Sequence, residues 1–285
     1  VLRSFKTEND IVSMRYLTCL TIAWFSLAGD RSTDHCLAGA PIPIAHRGML
    51  RHAPENTLPA FAACLDLGIG FELDIRTTKD GHLVVVHDDN VQRTTNGSSR
   101  SVRKMTLEEL KQLDAGSWFD DAFTGECIPT LEETLSLVAK RKRGSTIIAL
   151  NVKDVTRDGE AELVALVEKY QLLSDSFAFD QNDEMSRRLK QLNPDFRIGQ
   201  NVSRQSIAVR IEEGLLDCFL LTATPTKEEV SLLHRSGKQV LYNYAGSGEV
   251  RRNRETWRRA AAAGIDGLLT DYPLECRIVW RDAKK

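Results

Sequence analysis

The sequence predicts an α/β fold: a (β/α)8 barrel with an extra hairpin and insertion after its second strand. Three patterns lead there. From residue 41 onward, eight short apolar runs alternate with amphipathic helical stretches, the order expected of β-then-α units. Three Thr-x-x-Glu segments have capping-box spacing and mark helix starts between those runs. The competing architecture is an open doubly wound sheet. The chain has no Gly-x-Gly-x-x-Gly and no Walker loop, so the usual nucleotide chemistry of that sheet is absent.

In chain order, the predicted strands are Pro43–Ala45, Phe71–Ile75, Thr146–Val152, Ser176–Phe179, Phe196–Gly199, Cys218–Thr222, Gln239–Tyr242 and Gly267–Thr270. Helices are expected from Leu58 to Leu67, stopped by Gly68, and after the capping Thr106, Thr130 and Thr226. A further Ala-rich helix runs to Ala263 and stops at Gly264. One strand breaks the alternation. Phe71–Thr78 and His82–His87 are joined by Lys79-Asp80-Gly81, and Asp-Gly between apolar runs is a hairpin signal. With Asp80-Gly81 as a two-residue loop, Lys79 pairs with His82 and Asp74 faces His87. A register one residue away would put His87 on the other face.

The barrel is expected over residues 41–278, with a short tail at 279–285 and an extension at 1–40. Within that extension Met14-Arg15 precedes the apolar run Tyr16 to Leu27, which exits through Ser26-Leu27-Ala28-Gly29. That is the layout of a secretory signal at about 14–28, too short for a comfortable membrane span. Use of Met14 as the start predicts a periplasmic or secreted protein with no stable membrane span once the signal is removed; otherwise the protein is cytoplasmic. An apolar helix packed on the fold or lying at an interface is the alternative.

Of the 285 residues, 42% are hydrophobic and 27% charged, an ordinary globular balance. With 38 basic and 40 acidic residues the net charge is −2, so no basic excess exists to neutralise a nucleic-acid backbone. Six Cys stand singly with no Cys-x-x-Cys, which excludes a zinc ribbon or thioredoxin motif. The partner expected is a small molecule. Nothing in the sequence fixes the oligomeric state.

The polar residues at strand ends carry the chemistry. The first strand runs into His46-Arg47-Gly48. The second carries Glu72 and Asp74 at i, i+2, so both carboxylates point to one side. The hairpin returns to His87-Asp88, and the third barrel strand carries Asn151 and Lys153, again at i, i+2. Barrel enzymes draw their catalytic groups from the carboxyl ends of several strands. Two carboxylates and an amide oxygen are hard ligands suited to Mg2+ or Ca2+. Arg47 and Lys153 would hold an anion, a phosphate before others. Two imidazoles can act as base and acid on opposite sides of a scissile P–O bond. The ensemble reads as metal-assisted phosphodiester cleavage. Taken singly, a His after a strand such as His46 is more often structural, and a Lys such as Lys153 is most often a surface residue. Glu72 and Asp74 could line a solvated strand face, but unpaired carboxylates in a strand buried on both faces are costly.

The motifs resemble the glycerophosphodiester phosphodiesterase family over residues 42–275. The match runs through His46-Arg47-Gly48, Pro54-Glu55-Asn56-Thr57, Glu72-Leu73-Asp74, Thr78-Lys79-Asp80-Gly81 and Val85-Val86-His87-Asp88. It continues through Arg93-Thr94-Thr95-Asn96-Gly97, residues 113–119 and 125–133, Gly264-Ile265-Asp266-Gly267 and Thr270-Asp271-Tyr272-Pro273. The resemblance implies a (β/α)8 barrel that releases glycerol 3-phosphate and an alcohol from glycerophosphodiesters. It implies that His46 and His87 are the acid/base pair, Glu72 and Asp74 metal ligands, and Arg47 and Lys153 the phosphate-side charges. It also implies that the hairpin tip at 76–82 and the insertion at 88–128 wall the cleft.

Two departures stand out. The family has Glu-x-Lys on the third strand, its Glu being the third metal ligand, where this chain has Asn151-Val152-Lys153. Asn keeps an oxygen and loses a charge. The family's Trp-Thr-Val-Asn is here Tyr242-Asn243-Tyr244-Ala245, so Tyr242 is expected to replace the Trp that walls the headgroup pocket. Phe177 fits either the pocket or the core. These departures keep open a sphingomyelinase-D-like or sugar-phosphodiester activity on the same fold, and a non-catalytic phosphodiester-binding pseudoenzyme.

Overall fold

The computed structural model describes residues 40–243 and 252–282. Residues 1–39, with the expected export signal, lie outside the described residues. No helix among the described residues is long and apolar enough to cross a membrane.

Strands β1 (Ile42–Ala45), β2 (Gly70–Thr77), β3 (Leu83–Val85), β4 (Ile148–Asp154), β5 (Ser176–Phe179), β6 (Gly199–Val202), β7 (Cys218–Leu221), β8 (Gln239–Asn243) and β9 (Gly267–Thr270) form one sheet. The path is β5-β4-β2-β1-β9-β8-β7-β6, and β3 hangs antiparallel on β2. The other eight strands are parallel throughout. The ends of the path approach through a parallel bridge between Ala178 and Ile198, where the Ala178 N–H donates to the Arg197 carbonyl at 3.0 Å. The result is a nearly closed eight-stranded barrel.

The helices are α1 (Leu58–Asp66), α2 (Leu107–Lys111), α3 (Leu131–Arg141), α4 (Arg157–Lys169), α5 (Asp183–Leu192), α6 (Ile207–Glu212), α7 (Lys227–Arg235), α8 (Arg254–Ala263) and α9 (Pro273–Asp282). Thr106, Thr130 and Thr226 cap α2, α3 and α7. In each case Glu three residues on returns the bond to the capping N–H. Gly264 closes α8 in the left-handed conformation (φ 92), where a side chain would be strained. α9 runs past residue 278, and Val279 and Trp280 are part of the core.

Two cores follow from strand alternation. On β2, Phe71, Leu73 and Ile75 face outward and pack with helix residues such as Phe61, Leu65, Leu131 and Leu135. Ile44, Ile147, Ala149, Phe177, Phe179, Cys218, Leu220, Leu241 and Leu269 fill the barrel interior. Phe177 is therefore core. At Gly199 a Cβ would lie 2.6 Å from the Phe177 ring, so the small residue makes room for the large one.

Two expectations need correction. The fifth barrel strand is Gly199–Val202, not Phe196–Gly199. The apolar run marks the approach to the strand. The Phe196 N–H closes a turn on the Asn193 carbonyl, and the ladder with β7 begins only at Gly199 opposite Cys218. The hairpin register is also one residue from the expected one. Ile75 pairs with Val85 and Thr77 with Leu83, so Asp74 lies opposite Val86 rather than His87. Lys79-Asp80-Gly81 is a three-residue loop, with Gly81 left-handed at φ 92. Asp80 stabilises it by accepting from the Thr78 hydroxyl at 2.6 Å and from the Leu107 N–H at 3.1 Å.

The buried Phe177 ring gives a stability test. Phe177→Ala should lower unfolding free energy by about 3–5 kcal/mol. Urea denaturation measures it, and a midpoint equal to the parent's would contradict the interior packing described.

Candidate active site

The inward face that carries the inner core also carries, at the carboxyl ends of the strands, the charged groups. Glu72 and Asp74 are fully buried on β2, and Asn151 and Lys153 follow Ala149 on β4. His46 follows Ile44 after β1, and Asp271 follows Leu269 after β9. The His46 N–H extends the ladder to the Thr270 carbonyl at 3.1 Å, which fixes its backbone.

Glu72 accepts the Arg47 backbone N–H on Oε2 at 2.9 Å and the Asn151 amide on Oε1 at 3.1 Å. Arg47 can aim that N–H because its backbone is left-handed (φ 53), followed by Gly48 at φ 77. A Cβ at Gly48 would lie 2.8 Å from the Ala60 Cβ, so the position requires glycine. Asp74 accepts Asn56 Nδ2 on Oδ2 at 2.8 Å, and its own N–H donates to Asn56 Oδ1 at 3.3 Å. Arg47 Nε lies 3.6 Å from Asp74 Oδ2, and Lys153 Nζ 3.7 Å from Asp74 Oδ1. Lys153 also donates to Asp180 at 3.2 Å. Burial first, then the charge of Asp74, pushes the Glu72 carboxyl up to about 7. His46, the Arg47 amide and Asn151 pull the other way.

The two histidines share one arrangement. His46 Nδ1 is 2.8 Å from Asp271 Oδ1, and His87 Nδ1 is 2.7 Å from Asp88 Oδ1. An ionised carboxylate can only accept, so in each ring Nδ1 carries the proton and Nε2 is the nitrogen with the capacity to take or give one. The Arg93 guanidinium holds the Asp88 carboxyl far below the usual carboxylate range. His87 reaches the mouth from the insertion, not by direct pairing with Asp74. Arg76 clamps its carbonyl at 2.8 and 3.0 Å. Arg93 then donates to Asp88 at 2.7 and 3.0 Å and to Glu55 at 2.7 and 2.8 Å. Glu55 accepts from Arg47 at 2.9 Å. Burial would raise the Glu55 carboxyl, but Arg93 and Arg47 together hold it below its ordinary value.

His46, Arg47, Glu72, Asp74, Asn151 and Lys153 thus form one contiguous set, and His87 joins it through Asp88, Arg93 and Glu55. Tyr242 does not take the expected place. Its ring is fully buried in the outer core between barrel and helices, and its hydroxyl lies 3.2 Å from Thr224 Oγ1. Leu241 faces inward, so alternation gives the mouth to Asn243, whose amide donates to Asn201 at 2.7 Å. The motif strings contain Glu55, Asn56, Asp88, Arg93 and Asp271, but reading them along the chain assigns them no role. Asp180 carries no motif; its place one residue past a strand end is its only signal.

A divalent cation fits this mouth. Asp74 Oδ1 and Asn151 Oδ1 are buried without a hydrogen-bond partner beside the Glu72 carboxylate, and all three are hard oxygen donors. Among the described residues no group of three or more His, Cys, Asp and Glu side chains is arranged to hold a metal; the third oxygen donor in this mouth is the Asn151 amide.

A family model for the glycerophosphoryl diester phosphodiesterase family matches residues 46–275. A glycerophosphodiester phosphodiesterase of Caldanaerobacter subterraneus subsp. tengcongensis is 36% identical over 239 residues, covering 81% of this chain and 93% of its own. The crystal structure of a glycerophosphodiester phosphodiesterase from Agrobacterium tumefaciens superposes with a TM-score of 0.69 at 28% identity, covering 82% of this chain and 97% of its own. An Oleispira antarctica phosphodiesterase in complex with the product sn-glycerol-3-phosphate superposes with a TM-score of 0.68 at 28% identity, covering 84% and 96%. The matched span opens on His46 and takes in every residue of the charged mouth, so the chain belongs to the glycerophosphoryl diester phosphodiesterase family and is a phosphoric diester hydrolase.

Proposed function

We propose that the protein hydrolyses glycerophosphodiesters to glycerol 3-phosphate and an alcohol, with His46 and His87 as an acid/base pair and a divalent cation, Mg2+ or Ca2+, held by Glu72, Asp74 and Asn151. The observation that carries this reading is the matched carboxylate on Nδ1 of each imidazole, at 2.8 and 2.7 Å. The product bound to the Oleispira antarctica relative supports the product assigned here.

The residues divide the work as follows. Arg47 and Lys153 offer positive charge to the phosphate, and the short Glu55 and Asp180 contacts hold both side chains in place. One imidazole takes a proton on Nε2 from the attacking water oxygen. The other gives a proton to the alcohol oxygen as its bond to phosphorus breaks. Asp271 and Asp88 fix the rings and stabilise each while it is charged. A bound cation would supply Lewis-acid charge neutralisation at the phosphoryl oxygens.

His46→Ala or His87→Ala should each lower kcat for glycerophosphocholine by about 10²-fold or more, read as glycerol 3-phosphate release. Turnover equal to the parent's in either variant would remove that histidine from the mechanism. Chelation should abolish release, and Mg2+ or Ca2+ should restore it. Release that persists after exhaustive chelation would overturn the cation. Arg93→Met removes both forks that fix Asp88 and Glu55, and should lower kcat about tenfold while leaving KM within about threefold. A loss confined to KM would show that Arg93 serves substrate binding instead. A panel of phosphodiesters separates this substrate from a sphingomyelinase-D-like one: a tenfold preference for a non-glycerol group would replace the substrate class and leave the catalytic assignment standing.

A further inference from the structure

Asp180 stands directly after β5 with a left-handed backbone (φ 73), uncommon for a residue other than glycine. On that strand Phe177 and Phe179 face the barrel interior and Ala178 the outer core. Continued as extended chain, Asp180 would follow Ala178 outward. The left-handed turn aims its carboxylate at the mouth instead, where Oδ2 accepts from Lys153 Nζ at 3.2 Å.

Lys153 has another carboxylate within reach. Its Nζ is 3.7 Å from Asp74 Oδ1, and that oxygen, fully buried, has no hydrogen-bond partner. A buried carboxylate oxygen beside an ammonium with three donors would ordinarily take one of them. Here Lys153 donates instead to an acceptor that is nearly half exposed and needs it less, and its Nζ stays 3.7 Å from Asp74 Oδ1. Asn151 Oδ1 on the same strand is also without a partner.

We propose that Asp180 is a positioning residue for the cation site. By holding Lys153 it keeps the inward oxygen of Asp74 open for a divalent cation, and it offsets the ammonium charge that would repel that cation. The inference rests on the cation reading above. Without Asp180, Asp74 is the remaining carboxylate in salt-bridge range of Lys153 among the described residues. The ammonium then competes with the cation for Asp74 Oδ1. Partners that orient ligands in this way usually govern metal affinity by about 10- to 100-fold when removed.

The test is calorimetric titration of Ca2+ and of Mg2+ into the full chain after metal stripping. The variants are Asp180→Asn and Asp180→Gly, both at home in a left-handed backbone, each alone and combined with Lys153→Met. The expected result is about tenfold weaker Ca2+ and Mg2+ binding in both single variants, with an unchanged melting temperature in chelator. In the Lys153→Met background the same changes should cost less than about threefold, because no ammonium is left to hold. Binding within twofold of the parent's in the single variants overturns the inference and leaves the cation reading intact. An equal loss in both backgrounds also overturns it, since Asp180 would then act by charge alone. If the parent chain binds neither ion, the cation reading falls and this inference with it.

Discussion

Two carboxylates buried two residues apart on one strand face are the constraint around which the rest of the mouth is arranged. Glu72 and Asp74 have no access to water, and burial and the charge of Asp74 raise the cost of ionising Glu72. The surrounding chain supplies what solvent would. The loop after β1 gives a backbone N–H, the loop before α1 gives an asparagine, and β4 gives an amide and an ammonium. Arg47, Asn56 and Asp180, three non-glycine residues held in left-handed backbone, all lie around these two acids. Each costs on the order of 1 kcal/mol, and such strain persists only where the surroundings over-determine it. The outer face of the same β2 strand does that, since Phe71, Leu73 and Ile75 lock it against the helices.

The second histidine enters from outside the barrel, which raises a problem of precision. An insertion packed around its own small core of Val84, Val86, Val91, Val102, Met105, Leu110, Ala115 and Ile128 must set an imidazole against groups on β1 and β2. Arg93 does so by forking to Asp88 on its own loop and to Glu55 on the barrel. Arg93 is well exposed, and pairs of that kind contribute little to stability. Its planar guanidinium still forks to two carboxylates at once, and through Glu55 it shares a partner with Arg47. The ion pairs therefore act on geometry more than on folding energy.

Legibility in the sequence tracks the range of the interaction. The capping boxes at Thr106, Thr130 and Thr226 are closed within three residues, and the sequence places them correctly. Glu72 and Asp74 are legible because alternation on one strand is local. The hairpin register is not, because the loop is held by Asp80 bonding the N–H of Leu107, 27 residues away. The fifth barrel strand is displaced for a similar reason: pairing with β7, not the apolar run, decides where the ladder starts. Tyr242 is misread because a one-position choice on β8 decides between core and mouth, and Asn243 holds the mouth. The pairing of Arg93 with Glu55 spans 38 residues, and nothing in either motif announces it.

The asparagine at 151 makes physical sense once the state without cation is considered. A carboxylate there would be a third acid beside Glu72 and Asp74 in a buried site, and its charge would make ionising Glu72 costlier still. Asn151 instead donates Nδ2 to Glu72 and keeps Oδ1 turned to the site with no bond spent. One side chain thus satisfies a buried acid and still presents an oxygen. The exchange lowers the charge available to a cation and lowers the cost of the buried acids when none is bound. The folded barrel then depends less on whether a cation is bound. That fits the rest of the architecture, in which the outward faces of the strands carry stability and the inward carboxyl ends carry the charge.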